Sequence, residues 1–285
     1  MSKEIIFPKN RKEVFLVLLK YHKLDLLKIN LLIAAFALLS LLVIYFGLFV
    51  IGEVPSLISN GTLPMAKEGD MDYSILFTSL SYLVFMFVVL IVTNIPLFLG
   101  LGGGIYVISQ LCYAEANIII GKDFFIGIKR NAKHMVFLSL LFSLATLFMV
   151  FVFSVYLLMD TYLAIKIISN IIGVLVFMFV NMVTFVAINY TNVYDVKFFA
   201  LLKNSFKIAI SKPFRSIGFS LLASIFFFLL IIPMKIPVFP LCVFFFGFAY
   251  YLVIEFLYTS SLFDRYINKK AHEEIVGKGM KNDEN

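Results

Sequence analysis

Six stretches of this chain stay apolar for about 20 residues or more, the length that carries a helix across a hydrocarbon core about 30 Å thick. They run over about 26–52, 74–97, 136–158, 167–189, 215–234 and 237–260. Lipid offers no water to backbone N–H and C=O groups, so such stretches cross as helices. Composition agrees. Of 285 residues, 62% are hydrophobic and 14% charged, against roughly 45–50% and about 25% in soluble domains. A water-soluble fold of this size lacks the interior to hide that surplus. The expected fold is all-α, a polytopic membrane helix bundle of about six crossings in one integral membrane domain over 1–285. Residues 1–25 read as an inner amphipathic segment, 26–263 as the bundle and 264–285 as a polar cytoplasmic tail. The first crossing is too long for the core of a cleavable signal peptide, and a polar segment precedes it.

Orientation follows from lysine and arginine near the membrane, which stay on the cytoplasmic side. With the N-terminus inside, 21 of the 24 basic residues fall on the inner face, and only Lys67, Lys166 and Lys235 fall outside. The outer loop 53–73 is acidic, with Glu53, Glu68, Asp70 and Asp72. The expected location is the cell membrane, multi-pass, with both termini cytoplasmic. The abundance of Phe, Ile, Lys and Asn points to an AT-rich bacterial genome, hence a bacterial plasma membrane. The net charge of +7 is thus a topology signal, and no nucleic-acid partner is needed to explain it.

Residues 98–120 are apolar and long enough to cross. A crossing there would place Lys122, Lys129, Arg130 and Lys133 outside or invert every later loop. The segment also holds Ser109, Gln110, Glu115 and Asn117. It is expected to be a re-entrant or interfacial helix at the inner leaflet.

Two inner segments repeat a pattern 74 residues apart. Asp123-Phe124-Phe125 is followed by Lys129 and Lys133, and Asp195-Val196-Lys197-Phe198-Phe199 by Lys203 and Lys207. On a helix this spacing sets the second Phe and both lysines along one side. Each copy leads into a spanning helix, so the copies read as parallel repeats. Lys129, Lys133, Lys203 and Lys207 are therefore candidates to meet membrane lipids through anionic headgroups, or to dock a soluble partner.

At these residues the chain resembles the YesL-like family of bacterial integral membrane proteins. The resemblance is carried by Ile95-Pro96, the run Gly100-Leu101-Gly102-Gly103-Gly104 leading to Tyr106, and Asp123-Phe124-Phe125 with Lys129 and Asn131. It continues in Leu202-Lys203-Asn204-Ser205-Phe206 and the final pair of spans. The longer first span and the outer loop near 53–73 depart from the family pattern. The family has no established reaction, and its members are often encoded beside carbohydrate ABC-transporter components. The resemblance therefore implies a non-catalytic accessory or subunit of a transport system, with ABC-transporter components as partners and carbohydrate uptake as the setting.

Two acidic positions offer another role, a transporter or channel in its own right. Glu255 is the one acid well inside an expected span. A charge at the bilayer centre costs at least ~2–3 kcal/mol and less near an interface. It fits an ion or proton site or a substrate contact; the plainer reading is a pair with an inner cation such as Lys203 or Arg215, or simple snorkelling. Glu115 and Asn117 could line a polar vestibule or face the cytoplasmic interface.

The glycine run 100–104 lacks the strand and the Lys-Ser/Thr ending of a phosphate loop, and small residues there fit a chain reversal or close helix contact. His22, His134 and His272 are scattered, and no nucleophile elbow or Cys–His pair occurs. No metal, cofactor or enzymatic activity is expected, and a lipid-modifying enzyme is the remotest reading. Cys112 and Cys242 are expected to be packed free thiols. Asn60-Gly61-Thr62 is a glycosylation sequon, which matters only in a eukaryotic secretory pathway.

Overall fold

The computed structural model describes residues 8–59, 73–115, 117–158, 162–228 and 241–280. Most of the expected outer loop, including the sequon, and the junction between the expected fifth and sixth crossings lie outside these residues.

The architecture is all-helical. After the short helix α1 (Arg11–Tyr21) come four long helices, α2 (Lys23–Ser59), α3 (Tyr73–Cys112), α4 (Ile120–Leu158) and α5 (Leu163–Val193). They are followed by α6 (Phe198–Ser211), α7 (Pro213–Ala223), the single turn α8 (Ile225–Phe228) and α9 (Phe248–Phe263). A π-helical turn, Val243–Gly247, leads into α9. Among the described residues, five helices are long and apolar enough to span a membrane. The fifth expected crossing, 215–234, is described only as far as Phe228.

The expectation for 98–120 needs correction. Residues 98–112 are not a separate re-entrant helix; they belong to the C-terminal half of α3, continuous through Pro96. The described residues 113–115 and 117–119 lie outside the helices, between α3 and α4. A helix of 40 residues is about 60 Å long at ~1.5 Å per residue, twice the hydrocarbon core. One helix thus holds both the expected second crossing and the first part of 98–120, and a window of spanning length and apolarity lies within Val88–Cys112. Hydropathy missed this because the C-terminal half is buried in protein and stays as apolar as a lipid-facing helix. Leu101, Ile105, Val107, Ile108 and Leu111 are all buried.

The glycine run explains the tightest contact, and it acts through close approach rather than chain reversal. A Cβ on Gly103 would sit 2.8 Å from the Phe124 carbonyl oxygen, and one on Gly127 would sit 2.5 Å from Tyr106 Cβ. Only glycine lets α3 and α4 meet at this distance. Asn131 fastens the crossing by donating to the Gly102 carbonyl at 3.2 Å.

The repeat has the expected faces. Phe124 is fully buried, while Phe125, Lys129 and Lys133 line one exposed side of α4. In the second copy Phe198 packs on Phe137, while Phe199, Lys203 and Lys207 are exposed. The copies differ in their exit. The first runs unbroken into its span. The second breaks at Lys212, because the residue before a proline is driven from helical geometry, and Pro213 then starts α7.

The first and last described segments are packed together at one end of the bundle. Asn10 caps α1 by accepting the Glu13 N–H at 3.0 Å. Val14 and Leu18 bury the other face. Arg11 then reaches Asp264, just past α9, at 2.9 Å with both side chains about 85% covered, being 15% and 16% exposed. The tail expected to be merely polar follows this anchor back along the bundle, with Lys278 at Glu115.

Candidate functional site

The polar residues within the bundle converge where α5 meets α9. Glu255 is fully buried. Its Oε1 accepts the Asn189 backbone N–H at 3.0 Å. The Asn189 side chain donates from Nδ2 to Thr259 Oγ1 at 2.6 Å and to Ser260 Oγ at 3.3 Å. The Thr259 hydroxyl donates in turn to the Glu255 carbonyl at 2.6 Å, one helical turn back. Helical spacing produces this grouping, since Glu255 and Thr259 stand four apart on α9 and share a face. Phe185 meets Tyr251 edge-on at 5.5 Å beside it, screening the cluster with rings.

Two acceptors in this cluster have no donor. Glu255 Oε2 and Asn189 Oδ1 are buried without a hydrogen-bond partner. Among the described residues no lysine or arginine pairs with Glu255. The structural pair with Lys203 or Arg215 is thus not formed; both of those side chains are exposed. A charged carboxylate shut away from water needs a compensating charge, or the cost is several kcal/mol. A proton or a small cation would supply it and fill the open valences of Oε2.

The depth of the cluster can be read from bonds between helices. Asn30 donates to the Phe244 carbonyl at 2.7 Å and accepts from the Ala249 N–H at 2.8 Å, which sets Lys28 near the level of Ala249. Ser216 bonds the Tyr258 hydroxyl at 2.8 Å, which sets Arg215 near the level of Tyr258. Glu255 falls between them, roughly 9 Å inward of the first level and roughly 4–5 Å outward of the second at helical rise. It therefore lies between the levels of Lys28 and Arg215 along the bundle.

Glu115 and Asn117 are placed elsewhere. Both are exposed, on the turn between α3 and α4. Asn117 adopts a left-handed conformation with φ 62°, which asparagine tolerates better than most residues, so its role there is to turn the chain. Glu115 bonds Lys278 Nζ at 3.1 Å. Glu255 is thus not joined to the other two candidates; its partners are Asn189, Thr259 and Ser260. Sequence inspection passed over these three. The available signal was Asn189, one of four Asn in α5, and Thr259-Ser260 one turn beyond the only acid in α9.

No group of three or more His, Cys, Asp or Glu side chains able to hold a metal occurs among the described residues. Cys112 is a buried free thiol and Cys242 a partly buried one. No protein-family model matches the chain, and neither do the curated proteins or the solved structures.

Proposed function

We propose that this integral membrane protein serves solute transport, and that the Glu255–Asn189 cluster is where a proton or a monovalent cation binds. One observation carries the reading: Glu255 Oε2 and Asn189 Oδ1 are buried acceptors that lack donors, in one cluster, within a span. Ionisable groups inside membrane helices are expensive, and they mark ion paths or proton relays when they are kept. Loading and unloading such a site with a proton or cation would change the electrostatics where α5 meets α9.

The test is reconstitution of the full chain into liposomes with an imposed proton or sodium gradient. Wild-type protein should carry an ion or ion-coupled solute flux, and Glu255→Gln should abolish it while the protein stays folded. Equal flux in that variant removes Glu255 from the mechanism.

A second reading has its own support. Phe199 and Phe214 are 83% and 88% exposed on the inner face, beside Lys203 and Lys207. That surface, with the resemblance to YesL-like proteins, supports an accessory subunit that docks other transport components, such as those of a carbohydrate ABC transporter. Recovery of such components with the native-level protein from solubilised membranes would favour it, and finding the chain alone would count against it.

A further inference from the structure

A cavity of about 210 Å³ opens on the inner side of the bundle, separate from the Glu255 cluster in its chemistry. Tyr106, Gln110 and Tyr113 line it from the end of α3, Arg130 from α4, Asn192 from α5, and Lys278 from the C-terminal tail. The tail therefore forms one wall, held by its ion pair to Glu115 and by Lys278 Nζ 4.5 Å from the Tyr113 ring centroid.

Three observations define what would fill this space. The first is charge. Glu115 already neutralises Lys278. Arg130 has no carboxylate partner among the described residues and rests 5.8 Å from the Tyr106 ring centroid. The cavity wall is thus positive by one charge, which disfavours a metal cation and favours an anion.

The second is an unmet need for donors. Asn192 is 6% exposed, and its Oδ1 is buried without a partner; Gln110 Oε1 is buried without a partner as well. A buried acceptor left unpaired costs about 1–3 kcal/mol. An anion without an O–H cannot donate to either oxygen; an occupant with hydroxyl hydrogens besides its negative charge meets both needs, and a polyol phosphate brings more of them than inorganic phosphate does. The Tyr113 hydroxyl adds a donor of its own, and burial pushes its phenol up to about 12.

The third is size and depth. About 210 Å³ is less than the ~300–1,000 Å³ of sites for drug-sized ligands, so the occupant is small. Arg130 belongs to the same basic collar as Lys129 and Lys133, at the plane where phosphate esters of the inner leaflet lie.

We propose that this cavity binds a phosphate ester bearing free hydroxyl groups, the phosphate meeting Arg130 and the hydroxyls donating to Asn192 and Gln110. The chemistry is shared by a glycerol-type phospholipid headgroup and a soluble polyol phosphate. It does not depend on the role given to Glu255, and it is tested by binding rather than by flux.

The experiment uses the full chain in nanodiscs. In phosphatidylcholine discs it is titrated with glycerol 3-phosphate and with inorganic phosphate. In a parallel set, phosphatidylglycerol replaces part of the lipid, and co-purified lipid is read by native mass spectrometry. Glycerol 3-phosphate or phosphatidylglycerol should bind and raise the unfolding midpoint, with inorganic phosphate at least about tenfold weaker. Stabilisation by phosphatidylglycerol alone identifies a lipid headgroup, and stabilisation by glycerol 3-phosphate alone a soluble ligand. Arg130→Gln, at an exposed position, should weaken binding about tenfold or more. Asn192→Leu, or Gln110→Leu if the former fails to fold, should bring glycerol 3-phosphate down to the level of inorganic phosphate. Binding of neither probe, equal binding of inorganic phosphate, or full binding by Arg130→Gln would overturn the proposal.

Discussion

The Asn189 backbone N–H points at Glu255 Oε1, 3.0 Å away, so a main-chain donor of one membrane helix serves a buried carboxylate on another. No side-chain substitution at position 189 removes that bond, while the other carboxylate oxygen stays open. The arrangement holds Glu255 in place through Oε1 and leaves Oε2 without a partner.

The first prediction separates binding from folding at this cluster. Glu255→Gln keeps the shape, removes the charge and adds an NH₂ donor. Its unfolding midpoint in detergent should equal or exceed that of wild type, while ion-coupled flux is lost. Asn189→Leu should behave in the opposite sense for stability. It strips Thr259 and Ser260 of a shared donor, and leaving such groups unpaired costs about 1–3 kcal/mol. A Glu255→Gln protein that melts well below wild type would mean the carboxylate is a structural necessity.

The α3–α4 contact gives a second prediction. Gly103→Ala places a methyl 2.8 Å from the Phe124 carbonyl oxygen, and backbone cannot yield as a side chain can. Overpacking of this kind costs about 1–3 kcal/mol. Gly121→Ala is the control, since a Cβ there meets nothing within 4 Å. Thermal unfolding of the two variants in one detergent should show a loss for the first and little change for the second.

The third prediction concerns the clamp between the chain ends. Arg11 and Asp264 are mostly covered and 2.9 Å apart. Removing either partner strands a partly buried charge. Arg11→Ala and Asp264→Ala should each loosen the tail, and the double variant should be less than additive by about 0.5–3 kcal/mol. Limited proteolysis between Glu273 and Lys278 reports the release. Additive effects would show that the two residues act separately.

Much of this molecule is legible in its sequence, for reasons visible in particular residues. The bilayer imposes length and apolarity, so the helices declare themselves. Phe125, Lys129 and Lys133 reveal their exposed face by spacing alone. The C-terminal half of α3 misleads because Ile105 and Ile108, buried by protein, carry the same pattern as residues facing lipid. The partners of Glu255 are not legible. Asn189 precedes it by 66 residues, and nothing local to either residue records which faces of α5 and α9 come together. The cavity is equally hidden, because its wall combines Tyr106, Asn192 and Lys278 from distant parts of the chain.

The fourth prediction tests the membrane topology itself. The depth assigned to Glu255 and to the cavity relies on Lys28, Lys133 and Arg215 marking one inner face. Lys133 is exposed and lies on the same side of α4 as Phe125 and Lys129. In a background where Cys112 and Cys242 are replaced by Ser or Ala, Lys133→Cys should react with a membrane-impermeant maleimide only after the cells are permeabilised. Lys166→Cys, near the opposite end of α5, should react in intact cells. Helix α4 joins these two levels through a hydrophobic run that the bilayer must contain, so the two labels cannot share a side if it spans. Labelling of Lys133→Cys in intact cells would invert the chain and move both Glu255 and the cavity to the outer leaflet.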